Sequence, residues 1–175
     1  DERAPVLPLT AYGADKLGCE QHGYVAWEVH RIPTRGFRFF NVYGPRQHPD
    51  NPYAGVVSIF ADRLRMGQGI RIFGDGQQTR DFIYVRDVMQ ILQRAMAQDW
   101  QGAQVMNIAT GNGTTVLQLA EVIARICGNG APQISWEAAR AGDIKMSIGA
   151  APNLQEILGM APRISLDEGL REYLM

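Results

Sequence analysis

The chain has 175 residues, 46% of them hydrophobic and 20% charged, with a formal net charge of −1. That composition is globular, not disordered, and sufficient for a buried core, and its charge balance excludes a general polyanion binder. No apolar run approaches the roughly 20 residues that span a bilayer, and no secretory signal pattern is present, so a cytoplasmic protein without a membrane partner is expected.

In chain order, residues 10–31 predict a helix, with Thr10 as its cap and Leu17, Tyr24 and Trp27 near the helical period. Residues 36–43 are aromatic and β-prone, which predicts a strand. Three prolines make 44–53 a loop, a helix over about 54–66 ends at Gly67, a strand covers 70–73, and Gly74-Asp75-Gly76 is a turn. An extended piece at 81–85 leads into a helix at 86–98, carrying Val88, Ile91, Leu92 and Ala95 on one face. A strand over 104–109 is broken at 110–113, and a helix follows over 115–127. Short strands at 133–137 and 145–148 and helices at 152–158 and 166–174 close the chain. Alternating strands and helices imply α/β packing.

The two cysteines, Cys19 and Cys127, lie far apart and outside any CxxC, so reduced thiols are expected. His22, His30 and His48 have no partner at a metal-ligand spacing, and no metal site is expected. No nucleic-acid partner is expected either.

Tyr12 and Lys16 form the first constellation with chemical content. Four residues apart on a helix, their side chains share a face. The chain has 15 arginines but only two lysines, Lys16 and Lys145, so the pairing is uncommon by composition. An ammonium beside a phenol favours the phenolate. A phenolate can take a proton from a substrate hydroxyl, which is what oxidation of an alcohol carbon requires. A surface tyrosine beside a solvated lysine is the plainer alternative.

This helix is followed by Arg38-Phe39-Phe40-Asn41-Val42-Tyr43-Gly44-Pro45-Arg46-Gln47, and later by the run GDGQQTRDFIYVRDV from Gly74 to Val88. The order resembles extended short-chain dehydrogenase/reductases (SDRs) that act on nucleotide sugars, above all the UDP-glucose 4-epimerase group, over nearly the whole chain. The loop from Asn51 to Phe60 resembles the epimerase version. The resemblance implies an α/β fold: the C-terminal part of an extended SDR, with the end of a Rossmann-type parallel sheet plus a small α/β substrate-binding lobe. Residues 1–50 and 81–112 would belong to the dinucleotide-binding domain, and 51–80 and 113–175 to the substrate lobe.

It also implies NAD as cofactor and a nucleotide sugar as substrate. Tyr12 would match the catalytic base, and Lys16 the residue that holds the nicotinamide ribose. Asn41 resembles the asparagine that donates to the substrate diphosphate, and Arg80 stands where the family has a diphosphate-binding arginine, whose planar fork suits phosphate oxygens. Arg140 and Asp143 resemble a late Arg-Pro-Gly-Asp segment, in which the arginine meets phosphate and the aspartate the ribose. Val56 and Phe73 fall near the uracil pocket. Arg63, Arg65 and Arg94 are expected on solvated helix faces. The sequence departs from the pattern at Thr10-Ala11 before the tyrosine, at Asp15 before the lysine, and at Ala141 in place of proline.

An NAD enzyme of this type also has a strand, a Gly-rich turn and a helix that cradle the pyrophosphate. The only candidate, Gly111-Asn112-Gly113, lacks a third glycine at the required spacing and is expected to be a plain βα turn. The chain therefore reads as the second half of an NAD-dependent nucleotide-sugar 4-epimerase. On the order of 100 or more residues of dinucleotide-binding sheet are expected to precede it. Alone it is expected to be inactive. It would expose a sheet edge near 36–42, which predicts a homodimer or other self-association. A 4,6-dehydratase and a nonenzymatic remnant or interaction module are the alternatives.

Overall fold

The computed structural model describes residues 1–47, 55–140 and 142–175. The fold begins with helix α1 (Ala11–His30), whose N-cap hydroxyl, Thr10 Oγ1, accepts from Gly13 N at 3.1 Å. α1 buries none of its residues, and Tyr24, Val25 and Val29 remain exposed. It is held to strand β1 (Thr34–Phe39) by Thr34 Oγ1 donating to Gly23 O at 2.9 Å and by a two-point Arg38–Glu20 ion pair at 2.7 Å. Pairing with Glu20 raises the already high Arg38 pKa, so the pair stays charged.

The single strand expected over 36–43 is two strands. β1 runs parallel to β5 (Ala103–Ile108), and Phe40 N still donates to Ile108 O. Val42 N then donates to Phe40 O at 2.9 Å, a γ-turn-like pivot that ends the ladder. Past it, β2 (Asn41–Tyr43) takes a new parallel partner, β4 (Thr79–Tyr84), in the register Asn41 to Phe82. The pivot thereby sets Asn41 diagonally beside Arg80, two residues earlier on β4.

The remaining elements surround β4. Helix α2 (Val56–Arg65) leads to β3 (Ile70–Phe73), which pairs in parallel with β7 (Ile134–Glu137). Helix α3 (Val85–Met96) follows β4 directly. The 110–113 segment does not feed straight into a helix, as expected, but into β6 (Gly113–Thr115), which pairs antiparallel with β4. Helix α4 (Val116–Ile126) then starts from a capping box between Thr115 and Gln118. β8 (Met146–Ser147) lies parallel to β4, and helices α5 (Pro152–Leu158) and α6 (Leu166–Leu174) complete the chain.

Two apolar cores result. One gathers Ile83, Val88, Ile91, Met106, Ile108, Leu154 and Leu158 between the β1–β5 sheet, α3 and α5. The other gathers Tyr43, Phe60, Leu64, Ile70, Ile72, Phe82, Leu119, Ile123 and Leu170 among α2, α4, β3 and α6. Strand β4 serves both, because its alternate residues Phe82 and Ile83 point to opposite faces.

Two buried carboxylates hold loops to this frame. Asp81 is 0% exposed; Oδ1 accepts from Thr110 N at 2.9 Å and Thr110 Oγ1 at 2.6 Å, and Oδ2 from Gly111 N at 2.9 Å and Gly149 N at 3.2 Å. Asp87 Oδ2 accepts from Arg163 N and Ile164 N at 3.0 and 2.9 Å, fixing the approach to α6. Tyr43 OH donates to Leu166 O at 3.3 Å, and burial pushes that phenol far above its ordinary value, so it remains a neutral donor. Among the described residues, no helix is long and apolar enough to cross a membrane.

Candidate active site

A cavity of about 360 Å³ opens where β2, β3, β4 and α2 converge. Its α2 wall follows the helical repeat: Val56, Ile59, Phe60 and Arg63 fall at i, i+3, i+4 and i+7. β3 contributes Arg71, Ile72 and Phe73, β4 contributes Arg80, and Gln78 lies just before β4. Asn41 comes from β2 and Val116 from α4, while Arg140 and Asp143 come from the loop before β8. Asn41, Val56, Phe73, Arg80, Arg140 and Asp143, all six residues expected at the substrate, thus line one cavity.

The loop that carries Arg140 and Asp143 is placed by β4. Thr79 N donates to Lys145 O at 2.8 Å, and β8 pairs Ser147 with Arg80. Asp143 N donates to Arg140 O at 3.3 Å, closing a turn in which Gly142 has φ +78°. That value suits glycine. Ala141 lies outside the described residues.

The cavity is cationic. Among the described residues, Arg63, Arg71, Arg80 and Arg140 line it against one carboxylate, Asp143. Arg80 Nη2 donates to Asp143 Oδ1 at 2.6 Å, and Nη1 donates to Thr79 O at 3.0 Å and Ile144 O at 2.5 Å. Its side chain is only 17% exposed, so its charge acts in a partly desolvated setting. The Arg140 guanidinium stacks on the Phe73 ring, 3.8 Å from the centroid. Such an array suits a ligand with a flat ring next to closely spaced anionic oxygens.

Tyr12 and Lys16 do share one face of α1. The Lys16 ammonium lies 5.3 Å from the Tyr12 ring centroid, and the phenol is 69% exposed, available to a reactant. The pair is not among the residues that line the cavity. Burial pushes the phenols of Tyr43, Tyr84 and Tyr173 up, so each stays protonated.

The family's cofactor can be tested against the residues present. The exposed Tyr12 hydroxyl and Lys16 ammonium fit the hydroxyls of a ribose. The Gly111–Gly113 turn does not fit a pyrophosphate, because the N–H groups of Thr110 and Gly111 are already bonded to the Asp81 carboxylate. A second anion there would meet a negative charge.

Sequence reasoning missed several lining residues. Arg63, expected on a solvated face, lines the cavity and donates through Nε to Gly69 O at 2.9 Å. Its spacing from Val56 was the available signal. Arg65 and Arg94 also serve carbonyls: Arg65 those of Tyr173 and Leu174, Arg94 that of Leu158. Arg71 and Val116 lie in no motif, Ile59, Phe60 and Gln78 lie inside the two family-like runs without a role of their own there, and the fold brings all five to the cavity.

The arrangement is that of an α/β protein with an arginine-rich cavity and a YxxxK helix. Residues 1–109 match the model of the NAD dependent epimerase/dehydratase family, and the chain belongs to that family. A UDP-glucose 4-epimerase of Mycolicibacterium smegmatis is 35% identical over 170 residues, which is 97% of this chain and 53% of the relative. A dTDP-L-rhamnose 4-epimerase of Burkholderia thailandensis is 34% identical over 175 residues, 98% of this chain and 47% of the relative. The crystal structure of a UDP-glucose 4-epimerase of Thermotoga maritima with UDP-glucose superposes with a TM-score of 0.89 at 35% identity, covering 99% of this chain and 58% of that one. The chain spans about half the length of the curated relatives it matches.

Proposed function

We propose that this chain supplies the proton-transfer helix and the nucleotide pocket of an NAD-dependent nucleotide-sugar 4-epimerase. The observation that carries the reading is the convergence of Asn41, Val56, Phe73, Arg80, Arg140 and Asp143, from separate segments, on one cationic cavity. Arg80, Arg140 and Asn41 bind the diphosphate, Asp143 the ribose hydroxyls, and Val56 and Phe73 the base. Tyr12 takes the proton of the sugar's C4 hydroxyl and later returns it, and Lys16 supplies the neighbouring positive charge that a phenolate needs. NAD, when bound, supplies the hydride acceptor, and Tyr12 and Lys16 hold its nicotinamide ribose.

The division into a dinucleotide-binding part (1–50 and 81–112) and a substrate lobe (51–80 and 113–175) belongs to this proposal. Both apolar cores draw on the two parts: α5 packs on β5, and Tyr43 and Phe82 join the core of α2, α4, β3 and α6. Self-association through β1, which among the described residues pairs along one edge only, also belongs to the proposal. Light scattering that finds only monomers would exclude that part.

The test is a panel of UDP- and dTDP-sugars given to the full-length protein that carries this chain. C4 inversion without solvent deuterium at C5 is expected. Deuterium uptake at C5 with loss of water would replace the epimerase reading with a dehydratase. Turnover by the 175-residue chain alone would overturn the need for a second half.

A further inference from the structure

We infer that the β1–β5 sheet can be extended at one edge only: the Glu2 carboxylate and the Asn153 amide together stand in for one residue of a neighbouring strand along β5, and so close that edge to a second copy of the chain. The inference holds whether or not β1 recruits a partner, and it concerns two residues that no motif marks.

β1 and β5 run in parallel in the register Thr34 to Ala103. Thr34 N donates to Gly102 O at 3.0 Å, and Phe40 N donates to Ile108 O at 3.2 Å. The direction of hydrogen bonding alternates along a parallel ladder. Thr34, Gly36, Arg38 and Phe40 therefore turn their main-chain groups toward β5, and Gln104, Met106 and Ile108 turn theirs toward β1. Val105 and Asn107 face the other way, along the outer edge of β5.

Side chains meet that outer edge. Asn153 Nδ2 donates to Val105 O at 3.1 Å, and Asn107 N donates to Glu2 Oε1 at 2.9 Å. A parallel strand laid on this edge would spend one residue on the same two bonds, its N–H donating to Val105 O and its carbonyl accepting from Asn107 N. The amide and the carboxylate supply that donor and that acceptor from opposite ends of the sequence. Asn153 is held in place because it lies in the first turn of α5, which packs on β5. The buried Asn107 side chain donates through Nδ2 to Ala150 O at 2.8 Å and draws the chain before α5 alongside the strand.

The outer edge of β1 differs. Among the described residues, no side chain bonds the outward main chain of Arg35, Phe37 or Phe39. A row of unpaired donors and acceptors invites another strand, whereas a satisfied edge offers it nothing. A strand joining β5 must first break two bonds, one of them to a charged oxygen.

Sedimentation and residue-resolved amide exchange by NMR test this, on the wild type and on Glu2→Ala/Asn153→Ala over a concentration series. In dilute solution the Asn107 amide of the double variant should exchange roughly tenfold to a hundredfold faster than in the wild type, the worth of one hydrogen bond to a charged group. At high concentration the variant should form larger assemblies than the wild type, and the Val105 and Asn107 amides should gain protection as it does. Glu2→Gln keeps an acceptor oxygen and should behave as the wild type. Assemblies of equal size in wild type and double variant at every concentration would overturn the inference. So would a wild type whose Val105 amide becomes protected as concentration rises. Protection confined to Arg35, Phe37 and Phe39 in the variant's assemblies would assign its growth to β1 and overturn the inference as well. Glu2 and Asn153 lie outside both apolar cores, and alanine suits a helix, so the variants should keep the fold, which circular dichroism checks. If the double variant is unfolded, Asn153→Ala alone decides by assembly size and Val105 protection under the same criteria.

Discussion

Asp81→Asn is the most informative perturbation of the frame that holds the site. The carboxylate is fully buried and accepts four hydrogen bonds, two on each oxygen. An amide keeps one oxygen and turns an NH2 group toward the other pair of donors. Whichever way it turns, at least one backbone N–H of Thr110, Gly111 or Gly149 then faces another N–H. One unpaired buried donor, together with weaker bonds at the remaining positions, costs about 2–4 kcal/mol. For a chain of this size that lowers the melting temperature by roughly 5–15 °C. The same variant should weaken UDP binding, because the tethered residues flank β6 and β8, which pair with the strand that carries Arg80. Thermal unfolding followed by circular dichroism, with UDP titration at 20 °C, reads both effects. A variant that melts within about 2 °C of the wild type would refute the assignment of Asp81 as the tether.

Tyr12→Phe in the full-length protein should lower kcat by about 10²–10⁴ and leave UDP affinity unchanged, since Tyr12 is not among the residues lining the cavity. Steady-state kinetics decide, and a kcat kept within tenfold would remove Tyr12 as the base. In Gly169→Ala a Cβ would overlap the Tyr43 hydroxyl and lie 3.0 Å from Tyr84 Cγ, both side chains being buried. Helix propensity gains up to about 1 kcal/mol, but overpacking a rigid aromatic pair costs about 1–3, so urea denaturation should show net destabilisation. Asp167 is held below its ordinary value chiefly by its hydrogen bond to Arg171, with Arg125 adding to this. A carboxylate depressed in the folded state stabilises above its unfolded pKa, near 3.9, and loses that contribution as pH falls through the folded value. Asp167→Asn should therefore melt slightly below the wild type at pH 7, and the two curves should converge as the pH falls through the folded-state value of Asp167.

The parts of the fold set by local chemistry were legible in the sequence. Thr10 caps α1 where a capping hydroxyl was expected, and the apolar face of α4 fits its predicted span. The break at Phe40 was not legible, because nothing local distinguishes 39–41: the strand ends where its partner changes from β5 to β4. β6 was missed for a related reason, since three residues held by pairing with β4 carry no period of their own. At the cavity, the residues singled out within the family-like runs were found, whereas Arg71 became visible only once β3 stood beside α2. Asp81 did leave a trace, an acid directly before the apolar run Phe82-Ile83-Tyr84.

The Arg80–Asp143 pair makes the encounter of an anion with Arg80 a substitution instead of a simple addition. The newcomer inherits a guanidinium that already has a tenant, so a titration reports the difference between two partners, and the apparent affinity falls short of what a tally of arginines promises. Dissolved electrolyte shields the outgoing contact along with the incoming one, which flattens the dependence on ionic strength compared with a surface of solitary cations. The displaced carboxylate is not wasted, for it becomes an acceptor beside the very molecule that evicted it.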